Sequence, residues 1–259
     1  MPKGEDAFIL GHGYVGKATC LSLNIPYWFS RNDSNITLEE GSKKLFCFIC
    51  LPTVTDEKGQ QTESRKVIHD YIAQMKEYGG RNIFVIRSTV LPGTCRALAE
   101  EFDVKVASNP EMLSEDTWEQ DAVKPRVKII GADDIPTKIA LTKIWEPVKS
   151  KIDIVTDTVT AETLKYAYNT FFTTKVIWAN QMYDICQTNG AKYRVIKDAL
   201  MRHPWGSKNH FKIMHKGGRG AGGHCLRKDT KVFAQYSNSK LLKLVDELNG
   251  EYLSQSGKS

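Results

Sequence analysis

Six residues near the start of the chain constrain its fold more than any others. Gly11-His12-Gly13-Tyr14-Val15-Gly16 follows the apolar run Ala7-Phe8-Ile9-Leu10 and opens a helical pattern over residues 14–23. A strand running straight into G-x-G-x-x-G and then into a helix is the phosphate-binding turn of a dinucleotide fold. Its first glycine permits the tight turn, its second lets the backbone meet a pyrophosphate, and its third packs helix on strand. N–H groups at the helix start then bind the phosphates. Gly11, Gly13, Tyr14, Val15 and Gly16 are therefore candidate cofactor residues, the plain alternative being a glycine-rich βα turn with no ligand.

The pattern downstream repeats strand and helix. A second strand falls at 27–29, others at 45–51, 82–86, 104–107, 127–130 and 152–155, and a helix at 64–78. Such alternation predicts an α/β fold, a Rossmann-like parallel sheet covered on both faces, over residues 1–157. Helical periodicity without proline or glycine then runs from 158 to 188 and stops at Asn189-Gly190. Further helices are expected at 193–201, 226–236 and 241–252, so residues 158–259 read as a long helix followed by a small all-helical domain. The long helix is the expected spine of that domain and the contact surface of a homodimer.

Ligands of such sheets sit at the carboxyl ends of the strands. The polar segments there are Leu51-Pro52-Thr53, Arg87 to Thr94 with Thr89 among them, and Ser108-Asn109-Pro110-Glu111. After the second strand, where an acid usually bonds the ribose of NAD, the chain reads Ser30-Arg31-Asn32-Asp33. Arg31 suits the 2′-phosphate of NADP, whereas Asp33 can still serve as the acid. NAD is favoured slightly, with NADP left open.

A second glycine-rich stretch, Gly217 to Gly223, leads to His224-Cys225 and a predicted helix. A cysteine where a loop enters a helix faces the positive end of the helix dipole, which favours thiolate, the nucleophilic form. Asp229 lies four residues on, hence on the same face, where it can hold or activate a water. The plain alternative is a loop and a structural cysteine. Lys165 and Asn169 share a face of the long helix, and Glu111 and Glu115 are also four apart; solvated surfaces are the default for both pairs. His210, His215 and His224 lack ligand spacing, and Cys47 and Cys50 point to opposite faces of one strand, so no metal site is expected. Trp205 and Phe211 suit aromatic packing better than base stacking.

Composition excludes little but points one way. A net charge of +6 with no basic block fits an anionic small molecule at least as well as nucleic acid. No run approaches a membrane span, no signal-peptide pattern follows Met1, and scattered cysteines suit reduced thiols in the cytoplasm.

With these residues in view, the chain resembles the UDP-glucose/GDP-mannose 6-dehydrogenase family. The matching blocks run in order: Gly11 to Gly16; Ile49 to Asp56; Ser88 to Thr94; Asn109 to Leu113 with Glu115 and Asp121; Pro125-Arg126 to Gly131; Ala161-Glu162 with Lys165, Asn169 and Asn180; and Gly222-Gly223-His224-Cys225 to Lys231. The resemblance implies that Cys225 takes up an aldehyde as thiohemiacetal and later carries a thioester. Lys165, Asn169 and Asp229 match residues that steady an oxyanion and position water, and Thr89, Glu111 and Glu115 match residues that hold water and assist proton transfer. Glu111, Met112, Leu113, Lys165, Asn169, Gly222 and Gly223 become substrate residues, and Pro52, Thr53 and Thr89 cofactor residues beside the glycine turn. The implied activity is NAD-dependent oxidation of a nucleotide sugar at its primary alcohol, UDP-glucose to UDP-glucuronate first, by two hydride transfers. A hydroxyacid dehydrogenase with one hydride transfer and a non-catalytic cofactor binder are the alternatives. Three departures stand out: His224 and Arg227 replace the family's usual serine or tyrosine and proline, the second-strand acid is displaced, and no pattern for a C-terminal nucleotide-binding domain appears, as in a short form.

Overall fold

A computed structural model of the chain describes residues 3–53, 55, 61–114, 116–204, 206, 209–215 and 218–255, leaving aside the side chains of 62–64 and 224. The chain divides into two compact units, the first reaching Lys165 and the second beginning at Tyr166.

The first unit alternates β1 (Ala7–Leu10), α1 (Tyr14–Leu23), β2 (Trp28–Phe29), α2 (Leu38–Ser42), β3 (Phe46–Ile49), α3 (Thr62–Glu77), β4 (Ile83–Ile86), α4 (Thr94–Phe102), β5 (Lys105–Ser108), α5 (Trp118–Val123), β6 (Val127–Ala132), α6 (Ile135–Trp145) and β7 (Ile152–Thr156). The strands form one sheet in the order β2-β1-β3-β4-β5-β6-β7. Register across the first strands is continuous: Ile9 pairs with Phe48, Phe48 with Val85, and Val85 with Ala107. Because side chains alternate faces, that row enters one core layer with Leu141 and Trp145 of α6. Leu10, Ile49 and Ile86 enter the other, with Ile68, Ile72 and Met75 of α3 and Leu98 of α4. Cys50 and Cys47 likewise fall in different layers. Strands buried on both faces explain why their sequences are apolar runs rather than alternating ones. Each fully buried large side chain contributes about 1.5–3 kcal/mol.

One pairing departs from the otherwise parallel sheet. β5 and β6 are antiparallel, Ala107 opposite Ala132 and Ser108 opposite Gly131. Residues 109–126 link them. This link holds the short α5, which packs on α1, with Ser22 Oγ donating to the Ala122 carbonyl at 2.8 Å. β6 thus starts beyond the carboxyl end of β5 and runs back. α6 then crosses over and restores parallel pairing between β6 and β7.

α7 (Thr158–Asn189) begins in the first unit and supplies the spine of the second. Gly190, at φ +76°, ends it, and α8 (Tyr193–Arg202), α9 (His224–Ser237) and α10 (Lys240–Gln255) follow. α7 and α9 are joined by successive rungs. Tyr166 stacks on Phe233 with ring centres 4.8 Å apart, Thr230 Oγ1 donates to Thr173 Oγ1 at 2.8 Å, and Asn169 Nδ2 donates to Asp229 Oδ2 at 2.6 Å. Phe171, Trp178 and Ile185, each seven residues from the next, leave an exposed apolar stripe on α7. Among the described residues no helix is long and apolar enough to cross a membrane.

Candidate active site

The glycine turn is shaped by close approaches. Gly11 sits at φ +98°, and a Cβ on it would lie 2.6 Å from the Cys50 carbonyl oxygen. A Cβ on Gly16 would lie 2.0 Å from the Gly11 oxygen, so α1 packs against the turn only with glycine there. A Cβ on Gly13 would meet nothing within 4 Å. Gly13 is also the N-cap of α1 and makes no side-chain cap, so the open side of the turn presents the helix N-terminus. These residues fit the pyrophosphate of a dinucleotide, bound by backbone N–H groups and the helix dipole.

Residues after β2 complete this end of the crevice. Ser30 Oγ donates to the Asp33 carbonyl at 2.7 Å and Ser34 Oγ bonds back to Ser30, forming a tight turn. The turn carries Asp33 to the glycine motif, where its Oδ2 lies 2.8 Å from His12 Nδ1. The His12 ring stacks on Trp28 with centres 4.3 Å apart. The hydrogen bond to His12 holds the exposed Asp33 carboxyl below its ordinary value. Arg31 stays exposed.

Beside it, the carboxyl ends of β3, β4 and β5 bring together Pro52 and Thr53, Thr89, and the Asn109–Glu111 segment. Ser88 Oγ ties the first to the second by donating to the Leu51 carbonyl at 2.7 Å. Thr53 is buried, Thr89 half-buried and Pro52 exposed. Tyr14, the first residue of α1, meets Trp118 of α5 edge-on, so α5 packs beside the glycine turn. Met112 and Leu113 in that loop are half-buried.

Glu111 and Lys165 form a buried pair. Lys165 Nζ lies 2.9 Å from Glu111 Oε1 and 2.8 Å from the Glu111 carbonyl, and the Leu113 N–H donates to Oε2 at 2.6 Å. Burial alone raises the Glu111 carboxyl, but the Lys165 charge, these hydrogen bonds and the field of Arg87 outweigh it and hold it below its ordinary value. Glu162, one turn before Lys165 on α7, accepts from the Gly93 and Cys95 N–H groups at 2.6 and 2.8 Å, capping α4 just beyond the Thr89 loop.

In the second unit, Gly223 at φ +92° is the N-cap of α9, and Cys225 is exposed in its first turn. The positive end of the α9 dipole lies at that turn. Asp229, one turn on, is 1% exposed. Asn169 holds one of its oxygens, and Lys228 Nζ lies 2.9 Å from the other as an ion pair outside hydrogen-bond geometry. The loop before Cys225 is anchored by Asn249 of α10, whose Oδ1 accepts from the Ala221 N–H at 2.7 Å, and by Arg219, which bonds Asn180 and Asp184 of α7. Gly222 is half-buried and Gly223 exposed.

Every expected site residue except one therefore has a described place. Glu115 lies outside the described residues, as do Trp205 and Gly217. Lys165 and Asn169, four residues apart on α7, engage separate carboxylates, Glu111 and Asp229. The Lys165–Asn169 face is not a solvated surface, since both side chains are buried, as is Glu111. Sequence reasoning assigned no role of their own to His12, Arg87 and Glu162. A signal existed for Arg87, an arginine following a wholly apolar strand; His12 stood in a free position of the motif, and Glu162 in the second turn of an ordinary helix.

The sheet order, the glycine turn and the acid beside it define a Rossmann-type dinucleotide-binding protein. Two models of the UDP-glucose/GDP-mannose dehydrogenase family match in succession, the NAD binding domain over residues 33–149 and the central domain over residues 159–251. The chain belongs to that family. It is 32% identical over 206 residues to UDP-glucose 6-dehydrogenase of Rickettsia conorii, covering 75% of this chain and 47% of that protein. It is 30% identical over 176 residues to GDP-mannose 6-dehydrogenase of Pseudomonas savastanoi pv. phaseolicola, covering 64% of this chain and 40% of that protein. The chain thus spans about half the length of the curated relatives it matches. Among solved structures, a UDP-glucose dehydrogenase from Pyrobaculum islandicum superposes with a TM-score of 0.82 at 25% identity, covering 98% of this chain and 70% of that one. A 3-hydroxyisobutyrate dehydrogenase from Mycobacterium tuberculosis shares the fold with a TM-score of 0.76 at 12% identity, covering 97% of this chain and 94% of that one.

Proposed function

We propose that the chain oxidises the primary alcohol of a nucleotide sugar to a carboxylate, UDP-glucose to UDP-glucuronate first, with NAD as acceptor in two hydride transfers. The observation that carries this reading is Cys225, exposed on the first turn of a helix behind Gly223, with a buried carboxylate one turn on. An alcohol dehydrogenase that stops at the aldehyde has no use for such a thiol.

NAD, when bound, accepts a hydride at each oxidation. Cys225 thiolate adds to the aldehyde carbon and keeps the half-oxidised sugar in place as a thiohemiacetal, and the thioester that follows is opened by water, returning the thiol. Asp229, held by Asn169, is the base that takes the proton of that water. The Lys165 ammonium and Asn169 amide stabilise negative charge on the sugar oxygen, and Thr89, Glu111 and Glu115 order water and relay protons. Met112, Leu113, Gly222 and Gly223 line the sugar. Gly11, Gly13, Tyr14, Val15 and Gly16 hold the cofactor pyrophosphate beside Pro52 and Thr53. Asp33 bonds the ribose and repels a 2′-phosphate, which favours NAD over the NADP that Arg31 would suit.

A homodimer through the α7 stripe of Phe171, Trp178 and Ile185, in the cytoplasm, where thiols such as Cys47 and Cys95 stay reduced, completes the proposal. Incubation with NAD or NADP and a panel of UDP- and GDP-sugars tests it by counting reduced cofactor per sugar consumed. Two per sugar, with acid formation abolished in Cys225→Ser, is the expected result. One per sugar, or acid formed at the parent rate by the serine variant, overturns it.

A further inference from the structure

Arg87 directly follows β4, and its side chain is a buried cation. Nη1 donates to the Asn109 carbonyl at 3.2 Å and also to Asn109 Oδ1. The guanidinium lies over the Trp145 ring at 5.0 Å, and its Nε is buried without a hydrogen-bond partner. Among the described residues it forms no ion pair with a carboxylate. Burying an uncompensated charge is expensive, so its presence needs a reason.

The reason lies two residues from its anchor. Asn109 is 1% exposed and donates through Nδ2 to the Ile129 carbonyl, so Arg87 and β6 grip it from two sides. Pro110 and Glu111 follow. Among the described residues, Lys165 from α7 bonds the Glu111 carboxylate, the charge of Arg87 at the end of β4 acts on it as well, and the Cys50 thiol at the end of β3 lies in its field. Burial pushes that thiol up to about 12, so it is neutral. Among the described residues the cluster therefore holds two cations and one anion. With Lys165 alone, Glu111 would sit in a neutral buried pair whose proton can pass from ammonium to carboxylate at little electrostatic cost. The second cation makes that transfer unfavourable.

We propose that Arg87 is a positioning residue for Glu111, clamping the Asn109–Glu111 segment through Asn109 and keeping the carboxylate ionised by its buried charge. What Glu111 does in turnover rests on the function proposed above; the effect of Arg87 on Glu111 does not.

The test titrates Glu111 by carbon-13 NMR of glutamate-labelled protein, without substrate or cofactor, the signal assigned with Glu111→Gln. In Arg87→Met the Glu111 midpoint rises by about one pH unit, the lower end of what a nearby opposite charge supplies. In Arg87→Lys, which keeps the charge, it moves less than half as far. Should Arg87→Met not fold by circular dichroism, Arg87→Gln, which keeps a donor toward Asn109, is read in its place. The acid limb of kcat/KM moves with the NMR midpoint. A folded uncharged variant that titrates like the parent, or a lysine variant that shifts as far as the methionine one, overturns the proposal. A parent protein that oxidises no nucleotide sugar counts against the proposed function alone, because the titration is still readable.

Discussion

Lys165 holds Glu111 at two points, side chain and backbone carbonyl, at 2.9 and 2.8 Å. One ammonium therefore sets both the charge and the path of the loop that follows β5. Removing either partner breaks an ion pair in a site less than a tenth exposed. Lys165→Met and Glu111→Gln should each lower unfolding free energy in urea by about 3–5 kcal/mol. The double variant should lose clearly less than the sum, and additivity of the two losses would show that the pair is not coupled.

The same pair gives the protein an acid limit. Glu111 is held below its ordinary 4.5, so its folded form binds a proton less readily than its unfolded form. Its contribution is complete above the unfolded value and disappears as pH falls through the lower folded one. The stability gap between parent and Glu111→Gln should stay constant from neutral pH down to about 6 and close below the unfolded value. A gap that widens on acidification would reverse the assigned direction.

Two glycines of one turn should behave differently. Gly16→Ala places a Cβ 2.0 Å from the Gly11 oxygen, and both melting temperature and NAD affinity should fall. Gly13→Ala meets nothing in the protein. It should melt like the parent yet bind NAD at least about tenfold more weakly, because its methyl stands where the pyrophosphate must approach. Calorimetric titration and thermal melts separate the two effects.

Asp33→Asn should weaken NAD more than NADP by about tenfold, a loss the size of one hydrogen bond to a charged group. Fluorescence titration with both cofactors reads the ratio. Equal losses would remove Asp33 from the ribose.

Local sequence announced much of this architecture because its signals were local. Apolar runs bounded by turn residues marked β1, β3 and β4 to within two residues, and the unbroken stretch after Thr158 marked α7. The reversal at β6 was hidden, since direction within a sheet depends on where α5 packs, a contact a hundred residues away at Ser22 and Ala122. Lys165 and Asn169 were visible as a helical pair, but their division between Glu111 and Asp229 was not, because those partners lie 54 and 60 residues distant. Asp33 was legible only as one of two options; His12 draws it to the glycine turn through a contact no strand pattern contains.

Glu162 joins what the strands leave apart. Its carboxylate takes the amides of Gly93 and Cys95, while one turn along α7 Lys165 grips the loop of Glu111. The segment bearing Thr89 and the segment bearing Glu111 are thus moored to neighbouring turns of the same helix. Neither can swing outward without tugging that helix, so the amides of Gly93, Cys95 and Leu113 should surrender their hydrogens to heavy water as one cooperative group.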